Sequence, residues 1–246
     1  SLNESFANYS QYLWDEFKFG KDEADYRAIE EAEGYYASAD QGGFHNLIWF
    51  DYNSQEDMFD GHSYNKGGRI LHMLRSYLGD EAFFLALQNY LKTNAYQPAE
   101  FNQLRLAFES VSGEDLNWFF NQWYLDKGHP TLNLKYSFNA AEKTVSLTVD
   151  QTQAAEFRTF TLPVNVTVFD DRGETTQRIW IDKKSEVFTF PVVGTLKNVL
   201  FDNQAMVLAR IVEEKPQEWY IHQYYNGKKY IHRKNAFQFG LTTQSA

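Results

Sequence analysis

The hydrophobic positions of this chain change period once. Up to about residue 127 they recur at steps of three and four, and from Pro130 onward they alternate. Leu2, Phe6, Tyr9, Leu13 and Phe17 predict a first helix that Gly20 ends. Asp22 is expected to cap a second helix through about Tyr36, with Tyr26, Ile29, Ala32 and Tyr35 as its inner stripe, and Asp40 to Phe44 reads as a loop. Ile70, Leu71, Met73, Leu74, Tyr77 and Leu78 form the apolar face of a third helix, stopped by Gly79. Asp80 is expected to cap a fourth, carrying Phe83, Phe84, Leu87, Tyr90 and Leu91. Pro98 is expected in the first turn of a fifth, with Phe101, Leu104, Phe108 and Val111, closed by Gly113. A sixth holds Leu116, Trp118, Phe119, Trp123, Tyr124 and Leu125 before Gly128-His129-Pro130.

Beyond Pro130, Leu132, Leu134, Tyr136 and Phe138 alternate with polar residues. So do Val145, Leu147 and Val149, then Leu162, Val164, Val166 and Val168; Asp170-Asp171-Arg172-Gly173 turns into a strand with Ile179 and Ile181. Shorter strands follow at Val187 to Phe190 and Val199 to Phe201. Short strands in regular succession, with no helix between them, predict an antiparallel β-sandwich. Two further helices are expected, one around Trp219, Ile221, Tyr224 and Tyr225 and one over Tyr230 to Leu241.

Composition narrows the class. The 246 residues are 43% hydrophobic and 23% charged, as in ordinary globular chains, and 21 Phe with 16 Tyr imply extensive buried aromatic area. A net charge of −10 argues against nucleic acid or an anionic membrane surface as the main partner. No apolar run approaches the roughly 18 residues of a spanning helix. Without cysteine there are no disulfides or thiolate metal sites, which leaves the compartment undecided. A start at Ser1 inside a helical pattern is expected of a piece of a longer chain.

The third helix holds the one local oddity. It is preceded by Gly61-His62-Ser63-Tyr64-Asn65-Lys66-Gly67-Gly68, in which Ser63 reads as an N-cap and Tyr64 as a first-turn residue. Each glycine of the pair costs a helix roughly 1 kcal/mol relative to alanine. The expected reason is steric: another backbone or a ligand passes close to that face. The six histidines are spread singly at 45, 62, 72, 129, 222 and 232, with no H-E-x-x-H among them, and each reads first as a packed or solvated residue. His62 and His72 flank the glycine-rich motif. There is no G-x-S-x-G, P-loop or G-x-G-x-x-G.

Three segments resemble one family. Leu2-Asn3-Glu4-Ser5-Phe6-Ala7 resembles the L-N-E-G-F-A segment of the M1 family of zinc aminopeptidases, which there follows H-E-x-x-H by one helix. Ser63-Tyr64-x-Lys66-Gly67-Gly68 resembles its S-Y-x-K-G-A segment, and Phe120-x-x-Trp123 with Gly128-His129-Pro130 resembles its entry into a β-sandwich. The matches come in the family's order, and the departures, Ser5 for Gly and Gly68 for Ala, exchange small residues for small. The resemblance implies Glu4 as the third ligand of a catalytic Zn²⁺ and Tyr64 as the donor that stabilises the oxyanion of the transition state. Lys66 would hold a nearby carboxylate, or be a solvated or structural lysine, the commoner case.

The implied fold is α+β and multi-domain. Residues 1–129 would be the all-helical half of a thermolysin-like catalytic domain, 130–212 a β-sandwich, and 213–246 the start of a further helical domain. The family's H-E-x-x-H and G-x-M-E-N segments are not in this sequence. The expected partners are therefore peptide substrates and the upstream half of the same chain, and these 246 residues alone are expected to be inactive and metal-free. Two other readings stand beside this one: a non-catalytic scaffold built on the same fold, and an independent binding module in the strands. Trp180, the lone tryptophan among the strands, gives the latter no aromatic platform.

Overall fold

The computed structural model describes residues 1–226, so the expected helix over Tyr230 to Leu241 lies outside the described residues. The chain is α+β, with seven α-helices and seven strands among the described residues. It divides into two compact units. The first comprises Ser1–Trp14, Arg27–His129 and Met206–Leu208; the second comprises Asp15–Tyr26, Pro130–Ala205 and the described chain from Ala209 on.

The helices are α1 Leu2–Phe19, α2 Lys21–Gly42, α3 Gly67–Leu78, α4 Asp80–Thr93, α5 Phe101–Ser112, α6 Asn117–Trp123 and α7 Gln217–Asn226. In the first unit the aromatic positions of the helical pattern supply the core. Tyr9 meets Phe83 edge-on at 5.8 Å, and Phe83 meets Phe108 at 5.4 Å, which joins α1 to α4 and α4 to α5. Offset and edge-to-face pairs of this kind contribute about 0.5–1.5 kcal/mol each beyond their buried area.

Several helix ends differ from the expectation. α2 runs on to Gly42, because Ala37 to Gln41 tolerate a helix and Ala39 is buried; Gly43, at φ +90°, is where the chain leaves it. Asp80 is the first residue of α4 and does not cap it, since both its carboxylate oxygens are taken by Arg75 at 2.8 and 2.9 Å. α5 begins at Phe101, three residues after Pro98, with a capping box in which the Glu100 N–H donates to Gln103 at 3.0 Å. α6 stops at Trp123, short of Leu125.

The second unit carries β1 Thr131–Asn139, β2 Thr144–Gln151, β3 Leu162–Asp170, β4 Gly173–Ile181, β5 Ser185–Pro191, β6 Leu196–Phe201 and β7 Arg210–Glu213. They form two sheets, in the orders β5-β2-β1-β7 and β4-β3-β6. Val145, Leu147 and Val149 in one sheet, and Leu162 and Val164 in the other, are buried while their neighbours are not. Period-two burial marks sheets covered on one face. The purely antiparallel expectation is corrected at one edge: β7, a four-residue strand, pairs parallel to β1, Thr131 opposite Arg210. Trp219 of α7 is buried and packs edge-on against Tyr136 at 5.5 Å.

Candidate active site

Glu4 stands in the first turn of α1, and Tyr64 stands in a π-helical turn, His62–Lys66, that leads directly into α3. The wider winding is seen in Lys66 N–H donating to the Gly61 carbonyl at 2.9 Å, a five-residue step. Ser63 is therefore not the N-cap. Its own N–H is capped by Asp60, whose Oδ1 accepts it at 2.9 Å.

The glycine pair is explained by α1. Gly67 has ordinary helical angles, φ −60° and ψ −44°, so conformational freedom is not the reason. A Cβ built there would lie 1.9 Å from Ser5 Oγ and 2.6 Å from Ser5 Cβ. At Gly68 it would lie 2.1 Å from Asn8 Oδ1. The start of α3 thus runs against the side chains of α1, and the absence of two methyl groups permits it. Ser5 uses that proximity: its hydroxyl lies 2.9 Å from the Ser63 carbonyl and 3.0 Å from that of Ser1.

This packing brings the two sequence-predicted site residues together. The Tyr64 phenol lies beside Glu4, and its interaction with that carboxylate, with some desolvation and the carboxylate's charge, pushes it above its ordinary value of 10. At neutral pH Tyr64 is consequently a protonated, uncharged donor beside the Glu4 side chain.

The polar residues around the motif form a half-buried cluster that the sequence reading missed. Asp60 Oδ2 receives His45 Nε2 at 2.7 Å and His62 Nδ1 at 2.9 Å, and the two imidazoles stack at 3.8 Å. Although Asp60 is partly desolvated, these two bonds and the Ser63 N–H hold its carboxyl far below the usual carboxylate range. Burial pushes His62 down, toward the neutral ring. His45, Asp60 and His62 are the group of three potential metal ligands among the described residues, but their ligating atoms are already engaged with one another. The available signal was the spacing Asp60-x-His62 ahead of the glycine pair; His45, fifteen residues upstream, carried none. Lys66 is fully buried, with no hydrogen-bond partner for its Nζ and the Tyr35 ring 5.6 Å away. Burial pushes this lysine down to about 8, against the opposing charges of Asp126 and Asp60. His72, wedged against Tyr12 at 4.5 Å, and His129, against Tyr36 at 4.6 Å, are packed core histidines.

Residues 1–123, half of the chain, match the peptidase family M1 domain. The chain belongs to peptidase family M1. Aminopeptidase M1 of Arabidopsis thaliana is 32% identical over 136 residues, which cover 54% of this chain and 16% of that protein. Glutamyl aminopeptidase of Bos taurus is 29% identical over 148 residues, covering 58% and 15%. Tricorn protease-interacting factor F2 of Thermoplasma volcanium is 31% identical over 154 residues, covering 58% and 19%. The chain thus spans about a sixth of the length of these M1 relatives. Its fold is similar to that of Legionella pneumophila aminopeptidase A, solved with aspartic acid: TM-score 0.74 and 16% identity, over 99% of this chain and 29% of that one.

Proposed function

We propose that this chain forms one wall of the active site of an M1 zinc aminopeptidase, which releases N-terminal residues from peptides. In this reading Glu4 is one of three protein ligands of the zinc ion, and Tyr64 is the oxyanion donor. The observation that carries it is the packing of the Glu4 helix on the Tyr64 turn, with Ser5 Oγ 2.9 Å from the Ser63 carbonyl, which sets the Tyr64 phenol beside the carboxylate at the helix position where the M1 pattern has its ligand.

The donor set is consistent with the metal as far as it goes: Glu4 is a half-buried oxygen donor, and two more ligands must come from residues outside these 246, since no H-E-x-x-H occurs in them. When bound, zinc supplies Lewis acidity and lowers the pKa of a coordinated water. The chain's own residues do the rest. With the Glu4 oxygens holding a cation, the adjacent Tyr64 O–H would be placed to donate to the oxygen of the scissile carbonyl as charge develops there. Because the phenol keeps its proton at neutral pH, it stabilises that charge as a donor and need not transfer the proton. Residues 1–129 would belong to the catalytic domain, 130–212 to a separate β domain and 213–246 to the start of another. Alone, the 246 residues would be inactive and metal-free.

The test is Tyr64→Phe in the full-length enzyme, assayed on an aminoacyl p-nitroanilide. Loss of one oxyanion donor lowers kcat by about 10²–10³ with KM little changed. A variant that keeps its full kcat would sink the assignment.

A further inference from the structure

Both sequence neighbours of Tyr64 are tied to other helices, Ser63 to α1 and Asn65 to α2. On one side the Ser63 carbonyl lies 2.9 Å from Ser5 Oγ. On the other, Asn65 Nδ2 donates to Glu31 Oε2, and the same oxygen receives Asn8 Nδ2 at 3.0 Å. Asn8 lies one helical turn beyond Glu4, on the same side of α1. A single carboxylate on α2 therefore joins the helix of Glu4 to the turn of Tyr64. Its acceptor-only chemistry also fixes both amides with their NH₂ groups inward.

Space has been cleared for this junction on two sides. A Cβ at Gly68 would strike Asn8 Oδ1 at 2.1 Å, and one at Gly34, in the middle of α2, would crowd Asn65 Nδ2 at 3.2 Å. Each glycine costs its helix about 1 kcal/mol relative to alanine. Two such costs at the two amides that reach Glu31 are hard to attribute to generic packing. A π-turn is also a departure from regular winding and needs restraint from outside itself.

We propose that Glu31 is a positioning residue: through Asn65 and Asn8 it sets the Tyr64 hydroxyl against the Glu4 side of the site. The inference rests on the reading of Tyr64 as oxyanion donor. In this role Glu31 acts by way of the Tyr64 turn, through Asn65, and that dependence on Tyr64 separates it from an ordinary structural carboxylate.

The experiment is a double-mutant cycle in the full-length enzyme, with kcat and KM measured for Glu31→Ala, Tyr64→Phe and the pair. Misplacing a donor by about an ångström costs up to about 10²-fold, so Glu31→Ala is expected to lower kcat about tenfold or more with KM within about twofold. In the Tyr64→Phe background it should cost nothing further. Glu31→Gln, which keeps one oxygen for the two amides, should recover most of kcat. Asn65→Ala, which leaves α1 and α2 intact, should reproduce the Glu31→Ala signature if that variant folds poorly. Equal losses from Glu31→Ala in both backgrounds, or a change confined to KM, would overturn the role of Glu31 while leaving Tyr64 its own. A Tyr64→Phe enzyme with full kcat would overturn the underlying reading and this inference with it.

Discussion

Adding one methyl group at Gly67 tests the contact that holds α1 against α3. Its Cβ would lie 1.9 Å from Ser5 Oγ and 2.6 Å from Ser5 Cβ, and 3.3 Å from the Ser5 Cα. The first two contacts are impossible, so either Ser5 rotates away or the helices part. Overpacking of this kind costs about 1–3 kcal/mol. Losing the Ser5 to Ser63 bond costs about 1 kcal/mol more, and alanine's better helix propensity returns about 1 kcal/mol. The net for Gly67→Ala is about 1–3 kcal/mol of destabilisation. Ser5→Gly alone forfeits the bond and some propensity, about 1.5 kcal/mol. The pair should cost less than the sum, because Ser5→Gly removes both impossible contacts and leaves only the 3.3 Å approach to Cα. A coupling of about 2 kcal/mol is expected. Amide exchange of α3, read by mass spectrometry alongside urea unfolding, measures it within this unit. Costs that simply add would refute the claim that the glycine exists to admit Ser5.

Two further outcomes are expected. Lys66 has a folded-state pKa depressed from 10.5 to about 8 by complete burial, so the unfolded chain binds its proton more tightly. Stability should therefore rise as pH climbs from about 8 to 10.5, by an order of 3 kcal/mol, and this rise should vanish in Lys66→Met, compared by urea midpoints at matched pH. Metal analysis of the 246-residue chain after zinc exposure and desalting should find no stoichiometric zinc, since one carboxylate does not hold the ion. Stoichiometric zinc that disappears in Glu4→Gln would contradict this.

What the sequence discloses follows the reach of each interaction. The helical stripe of α3 and the alternation of β1 to β3 are local repeats, so the pattern of apolar residues is enough to find them. Helix ends are harder because neighbours compete for the same groups. Asp80 has the right identity for a cap, yet Arg75, five residues back, takes both its oxygens. β7, with Ile211 and Val212 both substantially exposed, lacks the alternation that announces a strand and is made by its parallel partner β1.

At the site the same rule decides what could be read. The glycine pair betrays a close approach by its propensity cost, but not the neighbour, since Ser5 lies 58 residues from Ser63. Asp60 is invisible as a hub because one of its imidazoles arrives from His45, and Glu31 because its amides come from Asn8 and Asn65, 23 and 34 residues away. These unread residues share a task. A π-turn sets Tyr64 off the regular helical winding, and its shape has to be imposed by contacts from elsewhere in the fold. Asp60 ties the turn's entry, Ser5 its Ser63 carbonyl and Glu31 its Asn65 amide. Motif residues such as Tyr64 can be recognised from type and order alone. The side chains that aim them are long-range in sequence, and only folding brings them to the turn.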